Sequence, residues 1–206
     1  MNENEPTAPI RSAPKRVDLP ATAAWRHRDA RVGFEVLFLR HENDRYHLDG
    51  YVTAVEEGEP WAIHYTLLLD SNWATRSAHI IGRSALGEHE IQLNSDGPGS
   101  WRVDGKPMSQ LSGCIDVDLE ASACTNALPV NRLRLKVGQA ADAPAVYVRA
   151  RDLRVERLEQ RYVRLPNDGK HSRYTYVVPS FDFRTVLVYD EFGLVLAYPG
   201  IAVRVG

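Results

Sequence analysis

Between residues 33 and 198 the chain is a succession of short stretches in which apolar and polar residues alternate with a period of two, rich in β-branched and aromatic side chains. Neighbouring side chains of a strand point to opposite faces of its sheet, so this alternation predicts strands with one buried face and one wet face. The pattern runs through residues 33–40, 46–55, 63–69, 75–83 and 88–94. It resumes at 115–119, 145–150, 155–164, 172–178, 183–189 and 194–198. Turn-forming residues separate the stretches, among them Asn43 with Asp44, Gly58 with Pro60, Asp104 with Gly105, and Asp168 with Gly169. With no dominant helical period between them, these stretches predict a mainly β fold, a single curved antiparallel sheet system. Residues 125–133 admit one turn of helix, which Pro129 keeps from growing.

The first residues do not share the pattern. Pro6, Pro9, Pro14 and Pro20 remove backbone donors, and few side chains here suit a core. The expectation is a flexible Pro-rich N-terminal arm over residues 1–24 and a single domain over residues 25–206. A chain of 206 residues can bury a sizeable core as one all-β domain. With 44% apolar and 25% charged residues, it is neither collagen-like, coiled-coil nor wholly disordered.

Charge and cysteine content narrow the function classes. Lys and Arg number 25 against 27 Asp and Glu, so no cationic excess exists to neutralise phosphates, and no nucleic-acid partner is expected. Arg157, Arg161 and Arg164, interleaved with Tyr162, Tyr174 and Tyr176, are read as an amphipathic antiparallel sheet with long solvated side chains on its outer face. No apolar run approaches the roughly 20 residues of a membrane-spanning helix, and no secretory h-region follows the N-terminus. The expected setting is cytoplasmic. Cys114 and Cys124 could pair, but two free thiols in a reducing compartment are the favoured reading.

Motifs that commit a chain to a reaction are missing. Neither phosphate-cradling glycine loop occurs, and the segment from Gly82 to Gly87 is one residue too long for a nucleophile elbow. The histidines stand singly, without the close ligand pairs of a zinc site, so neither metal nor cofactor is expected. The densest polar group is Asp116, Asp118 and Glu120, interleaved with Ile115, Val117 and Leu119. In a strand Asp116 and Asp118 share one face, about 7 Å apart, opposite the apolar residues. Three roles stay open for the pair: acid and base of a glycoside hydrolase, acceptors in a polar binding site, or members of an ion-pair network with Arg102, Arg132 or Arg134. Downstream, Thr125 and Asn126 either hold a local bend or meet a sugar hydroxyl.

The run GCIDVDLEASACTNALPVNRL from Gly113 to Leu133, preceded by GSWRVDG from Gly99 to Gly105, resembles the signature of the bacterial putative glycolipid-binding family. Tyr65, Asp70, Trp73 and Arg76 are similar to its Y…D…W-x-x-R segment, and Gln160 with Tyr162 to its Q-x-Y strand. Gly193 to Gly200 resembles its closing G-L-V…Y-P-G. The likeness runs from about Trp25 to the end of the chain. Ala123 and Cys124 stand where the family carries a proline and an aromatic residue, and Asn131 where an arginine is common. Asp116, Asp118, Thr125, Asn126 and Arg132 are retained.

This resemblance implies a spiral β-roll, a half-barrel whose concave face shelters an acyl chain. It implies a non-enzymatic protein that binds a glycolipid or another amphipathic small molecule. Trp73, Arg76, Trp101, Asp116, Asp118, Asn126 and Arg132 would then surround the polar headgroup. The carboxylates would accept sugar hydroxyls, the arginines would pair with any phosphate, and the tryptophans would stack on a sugar face. A structural or protein-partner-binding module without a lipid ligand is the alternative. A hydrolase acting on a sugar or lipid conjugate through Asp116 and Asp118 is a second.

Overall fold

The structure, a computed structural model, describes residues 19–29, 31–96 and 99–206. Strands dominate it. The N-terminal part contributes β1 (Thr22–His27), β2 (Val32–Glu42), β3 (Arg45–Glu56), β4 (Glu59–Leu69), β5 (Thr75–Ser84), β6 (Gly87–Ser95), β7 (Trp101–Val103) and β8 (Lys106–Pro107). The middle holds β9 (Asp116–Leu119), α1 (Ala127–Leu133), β10 (Ala140–Asp142), β11 (Ala145–Val148) and β12 (Val155–Leu158). The C-terminal part adds β13 (Arg161–Asp168), β14 (His171–Val178), β15 (Phe183–Tyr189), β16 (Val195–Tyr198) and β17 (Ala202–Arg204).

Fourteen strands form one curved antiparallel sheet in the order β10-β13-β14-β15-β16-β17-β1-β2-β3-β4-β5-β6-β7-β8. Its two meanders are sewn together where the first strand meets the last, with Trp25 opposite Arg204. Two-residue turns close several hairpins. Asn43 and Asp44 (φ 51° and 57°), Glu57 and Gly58 (53° and 82°) and Asp104 and Gly105 (48° and 76°) are left-handed pairs that match the twist of their strands.

A second sheet, β12-β11-β9, departs from the expectation of antiparallel pairing throughout, because β9 and β11 run parallel. The stretch expected as one strand over 155–164 is also split between the two sheets, β12 in the small one and β13 in the large one. Residues 22–24, expected in the N-terminal arm, begin β1, and Ala23 is buried there. Residues 1–18 lie outside the described residues. Pro129 is tolerated in α1 because it falls in the first turn, where backbone N–H groups have no helical acceptor.

The inner face of the large sheet packs on the chain's own middle segment. Leu37, Leu48, Ile63, Leu67 and Ile80 share a core with Val117, Leu119, Leu128, Val146 and Val148. A second core joins Tyr162, Tyr174, Tyr176, Leu187 and Tyr189 to Val130, Tyr147 and Leu158. The side of the sheet expected to shelter an acyl chain is thus filled by β9, β11 and α1. Among the described residues no helix is long and apolar enough to cross a membrane.

Candidate functional site

β9 is where the polar residues meet. Its four residues are all buried, with Val117 and Leu119 in the first core. Asp116 and Asp118 share the opposite face, as their spacing predicts, but that face is also covered. β9 is an edge of the small sheet, and side chains take the place of a further strand. Thr75 Oγ1 accepts from the Val117 N–H and Thr125 Oγ1 from the Leu119 N–H, both at 3.3 Å.

Asp118 anchors a buried polar network. Its Oδ1 accepts from Thr125 Oγ1 at 2.9 Å, and its Oδ2 accepts from Gln160 Nε2 at 2.9 Å. Tyr162 donates its hydroxyl to Gln160 Oε1 at 3.1 Å and accepts from Asn126 Nδ2 at 3.0 Å. The residues come from β9, the turn before α1, and the junction of β12 with β13. Burial pushes the Asp118 carboxyl up to about 6, against the two hydrogen bonds, with the charges of Asp116 and Glu120 adding to the rise.

Asp116 is held differently. Arg132 Nε donates to its Oδ1 at 3.0 Å and Nη2 to its Oδ2 at 2.5 Å, a two-point clamp around a carboxylate that is 2% exposed. Of the three arginines considered for this pair, Arg132 is the partner. Burial raises the Asp116 carboxyl, opposed by the bonds and charge of Arg132.

A cleft of about 260 Å³ opens beside this network. Asp118, Glu120, Ser122 and Asn126 give it a hydrogen-bonding wall. Tyr147, Tyr176, Phe181, Phe183 and Tyr198 give it an aromatic wall. Two arginines, Arg31 and Arg149, also line it. The Arg149 guanidinium lies against the rings of Tyr147 and Phe181, 5.0 and 5.3 Å from their centroids. Its Nη1 donates to Glu120 Oε1 at 3.1 Å, and its Nη2 lies 2.7 Å from Glu156 Oε1. Burial pushes the Tyr147 and Tyr198 phenols up, so both stay protonated donors. Among the described residues, no three His, Cys, Asp or Glu side chains group so as to hold a metal ion.

Of the seven residues expected around a headgroup, Asp118 and Asn126 line this cleft. Asp116 and Arg132 are neighbours of that wall but do not line it. Trp73, Arg76 and Trp101 are elsewhere. Trp73 is buried at 4.5 Å from the Tyr46 ring, in a turn where Asp70 Oδ1 accepts from the Asn72 and Ala74 N–H groups. Arg76 donates to Asp70 Oδ2 and to the Asp96 carbonyl, both at 2.8 Å. Trp101 is in the first core and donates Nε1 to the Cys114 carbonyl at 2.8 Å. These three hold the β4–β5 turn and the strap after β8.

The sequence reading had Glu120 in its polar group but did not place Arg31, Ser122, Arg149 or the aromatic wall at the site. Tyr198 was the partial exception, since it stands in the closing Y-P-G segment. Ser122 follows Asp118 and Glu120 in the chain, but no spacing joins that segment to Arg31, to Tyr147 with Arg149, or to the C-terminal aromatic residues.

Comparison with known proteins agrees with this signature. A crystal structure of a DUF1089 family protein from Pseudomonas aeruginosa is similar at 30% identity and a TM-score of 0.71, covering 97% of this chain and 100% of that one. A β-barrel-like protein of domain of unknown function DUF1849 from Brucella abortus aligns at 11% identity and a TM-score of 0.42, over 89% of this chain and 92% of its own. No curated protein matches the sequence. The model of the family described as "Putative glycolipid-binding" matches residues 22–204, and the chain belongs to that family.

Proposed function

We propose that the protein is a non-enzymatic binding protein that takes the sugar headgroup of a glycolipid, or of a related amphipathic molecule, in the cleft beside Asp118. One observation carries this reading: a single cleft sets a hydrogen-bonding wall of Asp118, Ser122 and Asn126 against an aromatic wall of Tyr147, Tyr176 and Tyr198. A sugar presents the same two characters, hydroxyls around its edge and an apolar face. Each Asp118 oxygen accepts one protein hydrogen bond and keeps a lone pair for a ligand hydroxyl. The family description supports a glycolipid as the class of ligand.

The volume argues for the headgroup over the tail. Small-molecule sites usually span about 300–1,000 Å³, and this cleft of about 260 Å³ falls just below that range. Acyl chains stay outside it, in a bilayer or against a partner. Native mass spectrometry of the protein purified from its own host, with lipid analysis of a solvent extract, tests the proposal. A discrete adduct that releases sugar and acyl fragments is expected. A clean apo mass, together with no uptake from a panel of neutral and anionic glycolipids, would overturn it.

A further inference from the structure

Arg31 is the unexplained charge of the cleft. It is 8% exposed, and it is set by a tight turn in which its own N–H donates to the Arg28 carbonyl at 3.0 Å. A guanidinium carries five N–H donors. Among the described residues, this one makes a single hydrogen bond, Nη1 to the Glu120 carbonyl at 3.3 Å. Its Nε is buried without a hydrogen-bond partner; the Glu56 carboxylate forms a long ion pair with it at 3.9 Å, beyond hydrogen-bond reach. The Trp61 ring, 5.3 Å from the guanidinium carbon, covers one side.

The acids of the cleft are directed elsewhere. Glu120 receives Arg149 on one oxygen and the Ala150 N–H on the other, at 3.1 and 2.8 Å. Asp118 receives Thr125 and Gln160. Arg149 is matched by two carboxylates, whereas the buried Arg31 guanidinium has hydrogen-bond donors left over. Buried charges in folded proteins are otherwise paired and hydrogen-bonded. A planar fork with free donors is suited to two-point binding of a phosphate.

Resting on the headgroup reading above, we infer that Arg31 is the anion-binding residue of the cleft and that its ligand is a polyol carrying a phosphate. Hydroxyls meet the Asp118 wall and the phosphate meets Arg31. The phosphate belongs either to a phospholipid headgroup or to a free phosphorylated polyol.

Vesicle co-sedimentation tests this with the full chain. Phosphatidylcholine vesicles are doped with phosphatidylinositol or with a neutral galactolipid, and glycerophosphoinositol and inositol serve as soluble probes in calorimetry. Preference for phosphatidylinositol over the galactolipid by about tenfold is expected, falling to parity in Arg31→Gln and partly kept in Arg31→Lys. Glycerophosphoinositol binding as tightly as the vesicle lipid assigns a free phosphorylated polyol, and vesicle binding alone assigns a lipid. Equal wild-type binding of both lipids overturns the inference and leaves the headgroup reading standing, whatever the variants do. Binding of none of the four probes overturns the inference, while the adduct experiment decides the headgroup reading separately.

Discussion

Gln160 Nε2 donates to Asp118 Oδ2 at 2.9 Å, joining two residues 42 positions apart at the junction of the two sheets. With Thr125 on the other oxygen, it leaves the carboxylate buried yet bonded only to neutral donors. Among the described residues, no cation is in hydrogen-bond contact with its charge. Stability should therefore depend on pH.

The sign follows from the direction of the shift. Asp118 in the fold titrates at about 6 against an ordinary 3.8, so its contribution is full below about pH 4 and is lost as pH rises through 6. The loss is on the order of 3 kcal/mol for a shift of about two units. His27 is opposite. Burial, and then the Arg31 charge, hold it at about 4 against an ordinary 6.5, so its contribution is full above pH 6.5 and is lost as pH falls through 4. Urea unfolding between about pH 4 and pH 8 should show Asp118→Asn with a stability that rises more steeply with pH than wild type, and His27→Gln with one that rises less steeply. Curves parallel to wild type would contradict both assignments.

Removing Arg132 should cost far more than a surface ion pair. Arg132→Met leaves Asp116, 2% exposed, without its clamp, and the expected loss is about 3–5 kcal/mol. Asp116→Leu combined with Arg132→Met should recover most of that loss, because no uncompensated charge remains. Denaturant melts of the single and double variants check this, and a double variant as unstable as Arg132→Met would contradict it.

Gly50 is required by its neighbour across the sheet. It pairs with Tyr65, and a Cβ at position 50 would lie 2.0 Å from Tyr65 Cζ. The ring crosses that gap to donate its hydroxyl to Glu35 Oε1 at 2.7 Å. Glu35 in turn accepts from the Ala123 and Cys124 N–H groups at 2.7 and 3.3 Å, which fixes the segment leading into α1. Gly50→Ala should destabilise by about 2 kcal/mol or more, and by much less in a Tyr65→Ala background. Thermal melts of the four proteins give the coupling.

The cysteines should behave as two inert free thiols. Cys114 and Cys124 are both buried and unpaired. Burial lifts the Cys114 thiol to about 11 and raises the Cys124 thiol well above its ordinary range. A thiol reagent such as DTNB should find almost no reactive thiolate in the native protein, and two thiols per chain after denaturation.

Much of the architecture was legible because a strand's period is local. Side chains two apart share a face, so the alternation in 46–55 or 63–69 identifies β3 and β4, and Asn43 with Asp44 marks the turn before β3. The common face of Asp116 and Asp118 was legible for the same reason. Short strands were harder to see, since β7, β10 and β17 have three residues each, too few to show a period.

Which residues share a site could not be read that way. Trp73, Arg76 and Trp101 have the chemistry of a headgroup site, but their hydrogen bonds tie a turn and a strap. Arg31, Arg149 and Phe181 have no common spacing with Asp118, and meet it only because the large sheet wraps the small one. The sequence by itself determined the strands, their turns and the polar face of β9, all set by backbone geometry over a few residues. Tertiary structure alone decided that this face is buried, that Arg132 takes Asp116, and that the concave side is filled, because each depends on contacts between segments far apart in the chain.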